Sequence, residues 1–193
     1  MKKSSIILIV IAVIAVIWGV SAYNGLVTMD ENVNTEWANV ETQYQRRADL
    51  IPNLVNTVKG YAAHESETLE SVIAARSKAT QITIDPANLT PEKLAEYQEA
   101  QGAVTSALGK LLAISESYPD LKANQNFLEL QAQLEGTENR INEARRKFNN
   151  VAKEYNTAIR RFPKSILAGM LGFDKRAYFE AAEGAQNAPV VEF

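Results

Sequence analysis

The sequence predicts an all-α protein: an N-terminal transmembrane helix followed by an elongated antiparallel three- to four-helix bundle with a short C-terminal cap. Three observations predict it. An uncharged apolar run opens the chain, apolar residues recur at intervals of three and four through most of the remainder, and most prolines fall between the periodic segments. The expected organisation is a short cytoplasmic N-terminus (1–5), a transmembrane signal anchor (6–23), a helical bundle (24–163), and a short helix with an extended tail (164–193).

The anchor comes first. No charged side chain lies between Lys3 and Asp30, and Ile6 to Val20 is apolar apart from Gly19. Through Tyr23 this makes about 18 residues, or roughly 27 Å of helix, enough for a bilayer core. Val20-Ser21-Ala22 also offers small residues at alternate positions, so cleavage after Ala22 would release a soluble protein. The length of the run and the modest polarity of residues 23–27 favour an uncleaved anchor. Lys2 and Lys3 precede the span, whereas Asp30, Glu31 and Glu36 follow it, and the next basic residue is Arg46. The positive-inside rule therefore places the N-terminus in the cytoplasm and the helical body on the outer side of the membrane.

The first bundle helix continues from the span. Val33, Trp37, Val40, Tyr44, Arg47, Ile51, Leu54, Val58 and Tyr61 form a heptad seam with Arg47 as its polar interruption. One nearly continuous helix is expected over 6–63, with a kink at Pro52. A shorter helix over 65–80 places Leu69, Val72, Ile73 and Arg76 on one face, and 81–89 reads as loop. Thr90-Pro91-Glu92 is a helix start, with Thr90 as N-cap and Pro91 at the first helical position. Leu94, Tyr97, Gln101, Val104, Leu108, Leu111, Ser115 and Tyr118 carry that helix to Pro119. Phe127, Leu130, Leu134, Thr137, Ile141, Ala144, Phe148, Val151, Tyr155, Ala158 and Phe162 then sustain the spacing over about 40 residues. After Pro163 a short helix, the aromatics Phe173, Tyr178 and Phe179, and an extended end at 189–193 are expected to fold back as a cap.

Chemistry is poorly provided for. With no cysteine and one histidine, the chain lacks a thiolate metal site, a cysteine nucleophile, a lipidated N-terminus and a histidine-rich zinc centre. His64 precedes Glu65, but Thr68 stands where HExxH would need its second histidine. The pairs Glu135/Glu138 and Glu41/Asp49 read as solvated faces, and no glycine-rich phosphate loop occurs, so no cofactor and no enzyme activity are expected. Removing Lys2 and Lys3 from the 20 basic residues leaves 18 against 23 acidic ones, a net charge of −5 that argues against nucleic acid. The basic groups at 46–47, 140–147 and 160–161 are explained mainly by ion pairs between antiparallel helices, with polyanion binding as the lesser reading. Arg47 and Thr137 at seam positions, with Asn53, Asn56, Asn139, Asn142, Asn149 and Asn156 beside them, suggest register-fixing polar groups, or else a groove for a partner.

Two stretches carry more than their physics. Gln45-Arg46-Arg47-Ala48-Asp49-Leu50-Ile51-Pro52-Asn53-Leu54-Val55, continuing to His64-Glu65, and the later Tyr118-Pro119-Asp120-Leu121-Lys122-Ala123-Asn124 with Leu134-Glu135-Gly136-Thr137-Glu138-Asn139-Arg140-Ile141, resemble the LemA family of bacterial envelope proteins. The resemblance extends from Tyr23-Asn24 to Pro189-Val190-Val191. It implies a bacterial single-pass membrane protein with a helical ectodomain, makes Pro52 a family feature, and brings no catalytic residue with it. The chain is therefore expected to be a non-enzymatic scaffold or adaptor that engages an unidentified envelope protein, the alternative being an accessory regulatory subunit of a membrane protease or transporter. The candidate partner surface is Arg46, Arg47, Asp49, Asn53, Glu138, Asn139 and Arg140; self-association is a further option.

Overall fold

A computed structural model describes residues 3–180, which contain only helices and connecting segments. Lys2 and the expected extended end at 189–193 lie outside the described residues. Helix α1 runs over Lys3–Lys59, α2 over Ser66–Gln81, α3 over Pro91–Ile114, α4 over Pro119–Lys122, α5 over Gln125–Arg160 and α6 over Lys164–Leu171. Short 3-10 turns at Pro86–Asn88 and Ser115–Ser117 join α2 to α3 and α3 to α4. The long α1 and α5 pack antiparallel, and the α2–α3 hairpin packs beside them, giving the expected elongated bundle.

The 57 residues of α1 span about 86 Å at 1.5 Å per residue. Its first part stands clear of the bundle: large apolar side chains from Ile6 to Trp18 are exposed, and Ala22 is the first buried residue. This segment is long and apolar enough to cross a membrane. From Leu26 onward the heptad seam turns inward, with Val33, Trp37, Val40, Tyr44, Arg47, Ile51, Leu54 and Val58 all buried. Tyr61 is the exception and is exposed, because α1 ends at Lys59 and the chain turns so that Ala62 is buried instead.

Helix α1 passes through Pro52 without a break. Proline has no amide hydrogen, so the carbonyl four residues earlier, on Ala48, loses its helical donor. Arg76 of α2 supplies the replacement, its Nε donating to Ala48 O at 2.7 Å. A buried carbonyl is thereby satisfied, and α2 is fixed against α1 at that level. Leu69, Val72 and Ala79 are the buried residues of α2, whereas Ile73, expected on the inner face, is exposed.

The later helices follow the sequence closely. The Thr90 side chain accepts from the Lys93 amide at 3.3 Å, as an N-cap should. The α3 seam from Leu94 to Ser115 is buried, with Tyr118 half-buried. Asn124 caps α5 by accepting from the Phe127 amide. At the distal corner, Asn124 also donates to Tyr61 Oη at 2.8 Å, and Tyr118 donates to Glu65 at 3.1 Å. The α5 stripe is buried from Phe127 to Ile159 except for Leu130 and Val151, which are half-buried, and Phe162 lies past the helix end and is highly exposed. Gly172, in the left-handed region at φ 76°, terminates α6 and turns the chain back along the bundle.

Replacing Arg76 by Met keeps the apolar stem but removes the donor to Ala48, and should cost about 1–3 kcal/mol in urea unfolding of the detergent-solubilised chain. Pro52→Ala restores a backbone donor, so Arg76→Met should cost clearly less in that background. Additive effects would show that the two groups do not serve one carbonyl.

Candidate functional site

The heptad spacing of α1 turns Arg47 into the bundle, where its side chain is 2% exposed. Burying a guanidinium requires that its N–H groups be met by acceptors. Three helices meet there to do so. Nη1 donates to Glu138 Oε1 on α5 at 2.6 Å and to Thr105 Oγ1 on α3 at 2.9 Å. Nη2 donates to the Gln101 side-chain oxygen at 2.6 Å and to the Gln101 carbonyl at 3.1 Å. The guanidinium also lies 5.1 Å from the centre of the Tyr44 ring, within cation–π range. Buried Thr137 satisfies its own hydroxyl by donating to the Gln133 carbonyl at 2.7 Å.

This polar layer divides the core. Toward the apolar segment of α1, Leu26 to Tyr44 pack with Ile141 to Ile159 and with Leu94 and Tyr97. On the distal side, Ile51 to Ala62 pack with Phe127 and Leu134 and with the remainder of α2 and α3. Trp37 centres the first of these clusters, with ring centroids 5.5 Å from Tyr97, 5.7 Å from Phe148 and 5.9 Å from Phe179. Burial pushes the Tyr44 hydroxyl pKa up, with the Arg145 and Arg47 charges opposing. Burial likewise raises the Glu41 carboxyl, partly offset by the facing Trp37 indole.

The expected partner surface is split by this arrangement. Arg47 belongs to the core and not to the surface, and Glu138, 35% exposed, is its counter-ion. Arg46 and Asp49 are exposed at the mouth of a groove between α1 and the α2–α3 hairpin, which Arg76 also lines. Asn53 is exposed on α1 in the following turn. Asn139 and Arg140 are exposed on a different flank, in a shallow groove with Glu36 and Lys147. Asp49 accepts from Gln45 at 2.7 Å.

Two further polar devices involve the segment after α6; the sequence marks the asparagines of the first but not what they bind, and does not mark the arginine of the second. Asn156 and Asn149, seven residues apart on α5, each hold the backbone of the segment that follows α6. Asn156 donates to the Arg176 carbonyl at 2.8 Å and accepts from the Arg176 amide at 2.9 Å. Asn149 does the same for Phe179, with both bonds at 2.9 Å. The partner suggested by these asparagines is thus a segment of the same chain. Arg176 itself bonds Asp30 of α1 through Nη2 at 2.7 Å and through Nε at 3.1 Å, and Nη1 donates to the Pro86 carbonyl. The only hint in the sequence was a lone arginine between aromatic residues.

Replacing Glu138 by Ala leaves the guanidinium without its counter-ion and should cost about 3 kcal/mol in urea unfolding, at the low end for a buried pair because Glu138 is partly exposed. Adding Arg47→Met removes the stranded charge and should recover part of that loss. Simple addition of the two penalties would contradict the pairing.

A family model described as the LemA family matches residues 36–193. The magnetosome protein MamQ of Magnetospirillum gryphiswaldense is 29% identical over 88% of this chain and 68% of its own length. A magnetosome protein MamQ 2 of Paramagnetospirillum magneticum is 27% identical over 95% of this chain and 75% of its own length. Protein LemA of Metamycoplasma hominis is 27% identical over 75% of this chain and 62% of its own. With a family match covering the bundle from Glu36 onward, and with the motif residues gathered around Arg47 and at the distal corner, the chain belongs to the LemA family.

Proposed function

We propose that this LemA-family chain is a non-enzymatic adaptor of the bacterial envelope, anchored by one span with its N-terminus in the cytoplasm and its bundle on the outer or periplasmic side. The observation that carries the reading is the continuity of α1, which is one helix from Lys3 through the apolar segment to Lys59. A surface on the bundle is thereby held at a defined height above the bilayer, since helical backbone bonds leave no hinge between span and core. The charge asymmetry around the span supports the orientation.

The groove mouth at Arg46 and Asp49, with Asn53 one turn on, is the favoured partner surface, because these polar side chains are exposed on a rigid helix. Asn139 and Arg140 offer a second, separate flank. Arg47 and Glu138 contribute by holding both flanks in place. The partner is an envelope protein, with a second copy of the chain as the simplest case.

A photo-crosslinking residue at Asp49 or Asn53 of the full-length protein in its native membrane should give a discrete adduct absent when the probe replaces Ser77 on α2. Arg46→Ala should reduce that adduct severalfold while leaving the unfolding midpoint unchanged. Equal adducts at all three positions, or no response to Arg46→Ala, would contradict this assignment of the surface.

A further inference from the structure

Helix α6 leaves its most apolar side chains uncovered. Within α6, Ile166 is 55% exposed and Met170 77%, and their spacing of four places both on one face with Leu171 beside them; Phe162, 81% exposed, lies in the turn just before the helix. The opposite face is seated, since Ala168 is buried and α6 packs on α1 and α5. In water such a stripe exposes apolar area that a soluble bundle would normally cover.

Its position says what covers it. The Phe173 ring, just past α6, lies 5.9 Å from the ring of Tyr23, where the apolar segment of α1 ends. Phe162 and Lys164, with Arg161 between α5 and α6, line a groove whose other wall includes Trp18 of that same segment. Trp18 and Tyr23 are the residue types that settle at a membrane interface, so α6 is held at headgroup level beside the exit of the span. Charge agrees with that placement. Arg160, Arg161, Lys164 and Lys175 flank the stripe, against Asp174 alone among the acidic residues of 160–175. None of the four basic side chains forms an ion pair with a described residue. The body outside the span is acidic overall, so this basic foot is a local exception.

We propose that α6 is a second membrane contact, an interfacial helix that sets Ile166 and Met170, with Phe162 of the preceding turn, into the lipid of the leaflet on the bundle's side. Arg160, Arg161 and Lys164 then meet phosphodiester headgroups. The bundle touches the bilayer at two points, the span and α6, which fixes its rotation as well as its height. The inference rests on α1 crossing the membrane, and its test reads that separately.

The chain has no cysteine, so single spin labels can be placed without removing native thiols. Full-length protein labelled at Ile166→Cys or Met170→Cys is reconstituted in vesicles of phosphatidylethanolamine and phosphatidylglycerol. Collisions of the label with oxygen are compared with collisions with a water-soluble nickel chelate. The oxygen-to-nickel ratio at both positions should lie well above that of a label at exposed Ser77, shifted toward that of a label at Val16 in the span. A lipid-like ratio at Val16 together with Ser77-like ratios at 166 and 170 would overturn the α6 contact while leaving the span in place. A water-like ratio at Val16 would instead overturn the span and the contact with it. Spin–spin broadening at 166 or 170 that vanishes on dilution with unlabelled chain would show a second copy on this face and also overturn it.

Discussion

One buried guanidinium governs the arrangement of this bundle. Arg47 occupies a seam position of α1 where an apolar residue would satisfy the heptad, and its bonds reach α3 and α5 together. Apolar seams are permissive, because sliding one helix by a heptad exchanges leucine for valine at modest cost. A guanidinium that must meet Gln101, Thr105 and Glu138 is not permissive. Slipping any of the three helices strands a charge in the core, which costs several times more than the pair contributes when intact. Its place between the two apolar clusters lets a single residue set the register of both.

The rest of the molecule ties loose groups to that frame. Proline inside α1 frees a carbonyl, and α2 answers it through Arg76. The segment after α6 has no regular backbone partner, so Asn156 and Asn149 supply one, residue by residue, and Arg176 links the same segment to α1 and to the turn before α3. Phe179 then completes the aromatic cluster around Trp37, with Arg145 stacked 4.8 Å from its ring centre. The end of the bundle nearest the apolar segment of α1 is closed by these contacts.

What could be read from the sequence follows from what carries periodicity. Long seams in α1, α3 and α5 repeat often enough for their buried faces to be assigned residue by residue. Mistakes fell at the ends: Tyr61 and Phe162 continue the spacing on paper, but the helices stop before them. In α2, only a narrow stripe is covered by neighbours, so Ile73 stays outside although its spacing is right. Contacts to backbone were invisible, since the carbonyl of Ala48 and the amides of Arg176 and Phe179 exist in every sequence. Of the candidate surface, the residue types were legible but their sides were not. Arg47 was correctly marked as a seam residue and also counted as surface, and only packing decided between the two roles.

The register claim is tested most directly by replacing the whole polar layer and measuring where the helices sit. Spin labels at exposed Thr42 on α1 and Asn142 on α5 should give one narrow distance distribution in the otherwise native chain. In an Arg47→Met, Gln101→Leu, Glu138→Leu variant the chain should remain helical, but the distribution should broaden or split as slipped registers, offset by about 10 Å per heptad, become populated. A variant that keeps the same single narrow distance would show that apolar packing alone sets the register, and that Arg47 does not.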